Sequence, residues 1–310
     1  MDVLSFASTA LLALFFVGYL VLAGSDIGLG MLMPHVARGP AQRRRVVSAI
    51  APYFLASEVW LVAAVGVLAG LFPLLEHHVV AELRPVLAAM LAAWLVRDAG
   101  LWLRARVAGP RWRLGCDAAI VAGSWTVAAT WGLTVAGMLT GGLTASAFTV
   151  LCTAVVMALF ALRGAAFGAE RLVGPADAES ADVAARVTRP LSRAALGATV
   201  LAAAAALLPG GPELSSAAPA VILAVVLAGA LAATSGLVGP MLSRHTSALA
   251  IAVPGLLVAV AAQLPWAPVP AGTGVFVWVT LLPAIPVMLI GQVWLYRMTR
   301  RPAVEATFFA

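Results

Sequence analysis

The 310 residues are 63% apolar and only 10% charged, with a formal net charge of +6 in which all 19 basic residues are arginine. Soluble domains are about 45–50% apolar and 25% charged, so a water-soluble globule is excluded. The positive charge does not point to nucleic acid, because the arginines cluster in short connections between apolar runs, where anionic lipid and membrane orientation explain them.

At about 20 residues per crossing, apolar segments at 5–33, 48–75, 80–104, 116–140, 146–171, 191–209, 217–239, 246–264 and 274–297 predict nine spanning helices. The N-terminal stretch lacks a basic leader, carries Asp2 and is too long for a signal peptide, so it reads as an uncleaved first span. In this segment Ala23, Asp26 and Gly30 share one helical stripe and Gly24 and Gly28 another. Small residues beside Asp26 let neighbouring backbones approach and shield the acid from lipid. In the second segment Pro52 frees a carbonyl one turn below Leu55, and Glu58 shares the stripe of Leu55.

On the third segment Arg97 and Arg104 share a face, with Trp94 and Trp102 bracketing Asp98. Arg104 is expected to snorkel to the interface, whereas Arg97 lies deeper and needs a carboxylate. Arg111, Trp112 and Arg113 read as interfacial anchors at the turn into the fourth segment, with Asp117 one turn from Arg113. Cys116 and Cys152 begin successive apolar runs near opposite faces, which argues against a disulfide. The longest connection, 172–190, holds Asp177, Glu179, Asp182, Arg186 and Arg189. It divides the chain into a first bundle with an intramembrane polar cluster (1–171) and a second bundle rich in Ala, Leu and Val with a last helix (191–310). Pro283 and Pro286 should interrupt that last helix.

The connections after segments one, three, five and seven and the C-terminal tail carry Arg38, Arg43, Arg44, Arg45, Arg106, Arg111, Arg113, Arg186, Arg189, Arg244, Arg300 and Arg301, against Arg84 on the other side. Positive-inside logic puts the N-terminus outside and the C-terminus and connection 172–190 in the cytoplasm.

An ionisable side chain at mid-span costs about 2.5–3.5 kcal/mol on insertion scales, so each needs a reason. Asp26, Glu58, Arg97, Asp98, Asp117 and Arg163 all fall in the cytoplasmic half of the first five segments. They form either a polar cluster that conducts protons or binds a cofactor head group, or a set of salt bridges that fix helix register. Glu58 is the best single candidate for a proton-exchanging group, with an ordinary Glu58–Arg97 pair as the alternative. His35, His77, His78 and His245 all fall in connections or at helix ends, so a haem buried in the bilayer has no mid-membrane His to use. With no phosphate loop in a plausible context either, the chain alone is expected to be neither a redox enzyme nor an ATPase. A proton-coupled secondary transporter is a competing class, but transporters tend to repeat their charged, interrupted helices in both halves, and here only the first half is charged.

The run Gly24-Ser25-Asp26-Ile27-Gly28-Leu29-Gly30-Met31-Leu32, then Ala49-Ile50-Ala51-Pro52 leading to Glu58-Val59-Trp60-Leu61, resembles subunit II of the cytochrome bd quinol oxidases in order and spacing. Arg97, Arg104, Arg111-Trp112-Arg113, Asp117 and Gly123-Ser124-Trp125 also fall where that family has them, as do Pro283 to Val287, Trp294 and Tyr296-Arg297 in its closing helix. The resemblance implies an all-α membrane subunit of two four-helix bundles plus a peripheral helix. Such a subunit pairs with a larger subunit I whose b- and d-type haems reduce oxygen with electrons from quinol; this chain itself would bind no haem, and would be an accessory subunit in a bacterial-type cytoplasmic membrane, supporting assembly and proton and oxygen access. By position, Asp26 and Glu58 resemble polar-path residues, Trp60 a residue lining an oxygen route, and Arg97, Arg104 and Asp117 structural ion-pair partners. Three departures bear on mechanism. Phe54-Leu55-Ala56-Ser57 replaces the family's Trp-Asp-Gly-Asn, so its proton-uptake Asp is Leu55; Trp102 replaces an acid before Arg104; and Ala23 stands where some relatives carry Asp. The outer loop around Val269 to Gly274 is also short. A leucine cannot pass a proton, so either Glu58 with water takes over that passage or the proton-path role has been lost; these departures strengthen a purely structural scaffold as an alternative.

Overall fold

A computed structural model describes residues 3–172, 174, 177–236, 240–267 and 269–298. Arg300, Arg301 and the side chain of Tyr296 lie outside the described part. Proline opens three of the first four helices: α2 (Pro40–Leu71), α3 (Pro73–Leu103) and α4 (Pro110–Leu139) each start at a position where the missing N–H would have had no helical acceptor anyway. They follow α1 (Val3–Val36) and precede α5 (Ala147–Arg171), whose Ser146 Oγ caps the Thr149 amide at 3.2 Å. The rest of the chain forms α6 (Ala178–Ala205), α7 (Ala217–Gly236), α8 (Pro240–Ala261) and a last helix broken at Leu282 and Pro283 into α9 (Ala271–Leu281) and α10 (Ala284–Met298). Pro286 sits in the first turn of α10, where it costs no hydrogen bond.

Counting α9 and α10 as one, nine helices and no strand occur among the described residues, and eight are long and apolar enough to span a bilayer. The exception is α6, which carries Glu179, Asp182, Arg186, Arg189 and Arg193. Several helices begin earlier than the apolar runs suggest, by the widest margins α6 at Ala178 rather than 191 and α2 at Pro40 rather than 48. Charged side chains end a hydropathy run without ending a helix.

Helices α1 to α4 pack as one four-helix bundle and α5 to α8 as a second, while α9 and α10 lie at the periphery against α2. Helix α1 is central, touching α2, α4, α5, α6 and α8; α5 bridges the bundles, packed on α6 and α8 and also on α1 and α4. Between helices that share a lipid solvent, close approach through small residues supplies the packing. At the α1–α5 crossing, Gly28 and Gly164 stand back to back, so that a Cβ on either would run into the other helix's backbone.

Alternation of the helices puts the α1–α2, α3–α4, α5–α6 and α7–α8 connections at one end. Contacts tie that end together: Arg45 to Asp177 at 2.7 Å, Gln42 to Glu179 at 3.0 Å and Arg244 to Glu170 at 2.7 Å. The opposite end is joined by backbone bonds, the Glu213 amide donating to Leu139 (2.7 Å) and the Val269 amide to Leu71 (3.2 Å).

Candidate functional site

The ionisable groups of the first bundle converge on Arg97. Its Nη2 donates to Asp26 Oδ2 at 2.6 Å and its Nη1 to Asp98 Oδ1 at 3.1 Å, while the guanidinium carbon lies 6.0 Å from the centre of the Phe54 ring. Arg97 and Asp26 are buried; Glu58 and Asp98 are half-buried, and their carboxyls stand within hydrogen-bonding reach of each other. The result is a continuous string, Glu58 to Asp98 to Arg97 to Asp26, running from the outer side of α2 and α3 into the middle of the bundle.

The glycines of the first helix explain why the string assembles. A Cβ on Gly30 would collide with Ser124 of α4, whereas Gly28 meets α5 and Gly24 meets Arg163 and Ile251 of α5 and α8. The stripe of Asp26 and Gly30 therefore faces α3 and α4, and the stripe of Gly24 and Gly28 faces the second bundle. On α4, Gly123 admits Arg97, since a Cβ there would come within 2.6 Å of the Arg97 Cβ. Asp26 Oδ1, Arg97 Nε, Ser124 Oγ and Glu58 Oε1 are buried without a hydrogen-bonding partner among the described residues, so the string retains unused donor and acceptor capacity.

The pairing differs from the alternative drawn from sequence. Arg97 is held by Asp26 and Asp98, and no ion pair with Glu58 occurs among the described residues. Spacing along α3 could not reveal this, because Asp98 adjoins Arg97 in sequence and its role depends on the gap between α2 and α3. Arg104 does not snorkel: it is buried at the end of α3, its Nε donating to Asp117 Oδ1 at 2.6 Å, and Arg43 adds a second guanidinium to Asp117 at 3.6 Å. Arg163 is buried in α5 and donates to backbone carbonyls of Val21 (3.2 Å) and Arg244 (2.8 Å).

Trp60 lies apart from the string. Its ring covers Gly18, meets Phe15 edge to face at 5.9 Å, and its Nε1 donates to Gln292 of α10 at 3.4 Å. Leu55 points outward and lines an apolar cavity of about 440 Å3 between α2 and α10, shared with Pro52, Val59 and Trp294. Composition gave no warning of an aromatic set at the middle of α1, two turns before Asp26, where Trp131 Nε1 donates to the buried Tyr19 hydroxyl at 3.1 Å and Trp94 packs at 6.0 Å.

No group of three His, Cys, Asp or Glu side chains that could hold a metal ion occurs among the described residues. The four histidines sit in the last turn of α1, the first two turns of α3 and the second turn of α8, all away from mid-helix. This donor set does not fit a haem held in the bilayer core by histidine.

Comparison with known proteins agrees with this architecture. A bd oxidase chain from Geobacillus thermodenitrificans superposes with a TM-score of 0.66 over 96% of this chain and 98% of that one, at 15% identity, which establishes the fold. Cytochrome bd-I ubiquinol oxidase subunit 2 of Escherichia coli K12 is 29% identical over 140 residues, covering 45% of this chain and 37% of that protein. A probable cytochrome oxidase subunit 2 of Haemophilus influenzae is 28% identical over the same shares, and the Bacillus subtilis cytochrome bd ubiquinol oxidase subunit 2 is 36% identical over 63 residues, 20% of this chain and 19% of that one. These matches span well under half of the relatives' own length. The family model for cytochrome bd terminal oxidase subunit II, however, matches residues 4–299. With eight helices able to cross a bilayer and a profile that covers nearly all of it, the chain is a multi-pass membrane protein and belongs to the cytochrome bd terminal oxidase subunit II family.

Proposed function

We propose that this chain is the accessory subunit of a bd-type quinol:oxygen oxidoreductase, working with a subunit I that carries b- and d-type haem, and that it supplies a carboxyl pair through which protons reach its partner. The observation that carries this reading is the string Glu58, Asp98, Arg97, Asp26. A guanidinium does not release its proton, so Arg97 is not a step in transfer. It holds the charge of Asp98 and Asp26 while Glu58 and Asp98, facing each other on the half-buried side, exchange a proton between carboxyl oxygens. Asp26, with one carboxylate oxygen unengaged, ends the path inside the bundle. Leu55 cannot take part, so Glu58 replaces the acid that the family carries one turn away. Trp60, packed between α1 and α10, is suited to lining an apolar passage for oxygen. Arg104 and Asp117 serve structure, closing the α3–α4 turn. The arginine-rich end faces the cytoplasm by the positive-inside rule, with the N-terminus outside.

The test is quinol-driven oxygen consumption by the complex carrying Glu58→Gln or Asp98→Asn. Loss of a positioned acid or base lowers turnover by about 100-fold or more when proton transfer limits the rate. Turnover unchanged in both variants, with haem spectra intact, would instead support a scaffold that conducts nothing.

A further inference from the structure

At the arginine-rich end, away from the carboxyl pair, a cavity of about 590 Å3 is lined by Arg43, Arg44, Arg104, Arg113 and Asp117, with Pro110 at its edge. Four guanidiniums meet the one carboxylate that lines it among the described residues, and that carboxylate is already bonded to Arg104 and Arg43. The lining is therefore formally +3 (4 − 1). Both α2 and α4 begin here, so their positive dipole ends add to the same field. An apolar groove of about 300 Å3 adjoins the cavity, sharing Arg43, Leu114 and Asp117 with it and passing Met33, Val121 and Ala122 between α1 and α4. Leu114, Ala118 and Ala122 recur every fourth residue on one exposed stripe of α4, a run of about 12 Å along the helix.

We propose that this end of the protein binds one anionic phospholipid, its phosphate in the arginine cavity and an acyl chain along the Leu114, Ala118 and Ala122 stripe. The two halves of the site each require a different half of that molecule. A free phosphate would use the cavity and leave the groove without a ligand; a zwitterionic lipid would use the groove but gain little from the net positive lining. The chemistry needs both a negative head group and a hydrocarbon tail, and the eight helices among the described residues that are long and apolar enough to cross a bilayer keep such molecules at hand.

The experiment is native mass spectrometry of the full chain in its natural assembly, taken from micelles loaded with equimolar phosphatidylglycerol and phosphatidylcholine. Wild type is expected to retain phosphatidylglycerol preferentially. Arg44→Gln with Arg113→Gln leaves both ion pairs of Asp117 in place and should reduce that preference on the order of thirtyfold. Ala118→Trp, which fills the groove without changing charge, should lower retention as well, and millimolar inorganic phosphate should not displace the lipid. Equal retention of the two lipids by wild type overturns the proposal whether or not any variant folds. So does an unchanged preference in the double arginine variant. Displacement by inorganic phosphate together with an unaffected Ala118→Trp would identify a free-anion site and refute a lipid.

Discussion

Replacing Arg97 by methionine removes the guanidinium that bonds Asp26 at 2.6 Å and Asp98 at 3.1 Å while keeping an unbranched side chain against Phe54. Asp26 is left buried beside its former partner's empty charge position. Breaking a buried pair from one side costs about 3–5 kcal/mol, because the remaining charge is uncompensated. Asp26→Asn is milder: Arg97 keeps Asp98, and the loss is closer to that of one charge-assisted hydrogen bond, about 1.5–3 kcal/mol. The double variant Arg97→Met with Asp26→Asn removes both members, so its cost should fall short of the sum by about 2 kcal/mol. The assay is thermal unfolding of the purified assembly in detergent, where about 2 °C accompanies each kcal/mol in a chain of this size. Arg97→Met should melt roughly 6–10 °C below wild type, with the double variant well above the additive expectation. An Arg97→Met melting point within about 1 °C of wild type, or strict additivity of the three variants, would refute the claim that this pair anchors the first bundle.

Gly28→Val and Gly164→Val each push a side chain into the facing backbone of the α1–α5 crossing, so either should abolish the yield of monodisperse protein on size-exclusion chromatography, whereas Gly66→Val, where a Cβ meets nothing within 4 Å, should be recovered normally. Asp177→Asn weakens bonds from Arg45 and from the Gly174 amide at the arginine-rich end; since Arg45 is one-third exposed, the loss should be about 1 kcal/mol, read as a small fall in melting temperature that shrinks further in high salt. A cysteine placed at Gln42 should react with a membrane-impermeant maleimide only in inside-out vesicles; labelling in right-side-out vesicles alone would reverse the assigned orientation.

Most of the helical layout could be read from hydropathy because spans must bury their backbone and carry some 20 apolar residues. The boundaries were less legible for a physical reason. Arg43 to Arg45 and the charges of 179–193 belong to helices that continue past the apolar run, held by Asp117, Asp177 and Glu179 from neighbouring elements. The stripes around Asp26 were visible in spacing, and the structure gives each stripe its own neighbour. The partner of Arg97 was not visible. Helical periodicity fixes which residues share a face, but not how α1, α2 and α3 are rotated against one another, and that rotation decides whether Asp26 or Glu58 meets the guanidinium. The burial of Arg104 had the same origin: a position at a helix end suggests snorkelling until the adjoining turn folds Asp117 onto it.

The central claim is that a proton is exchanged between Glu58 and Asp98, and infrared difference spectroscopy of the assembly on reduction by quinol addresses it directly. The account predicts a protonated-carboxyl band that shifts in heavy water and vanishes in both Glu58→Gln and Asp98→Asn, because one proton serves two carboxyls. A band that survives in both variants, or a wild-type spectrum without one, would contradict it.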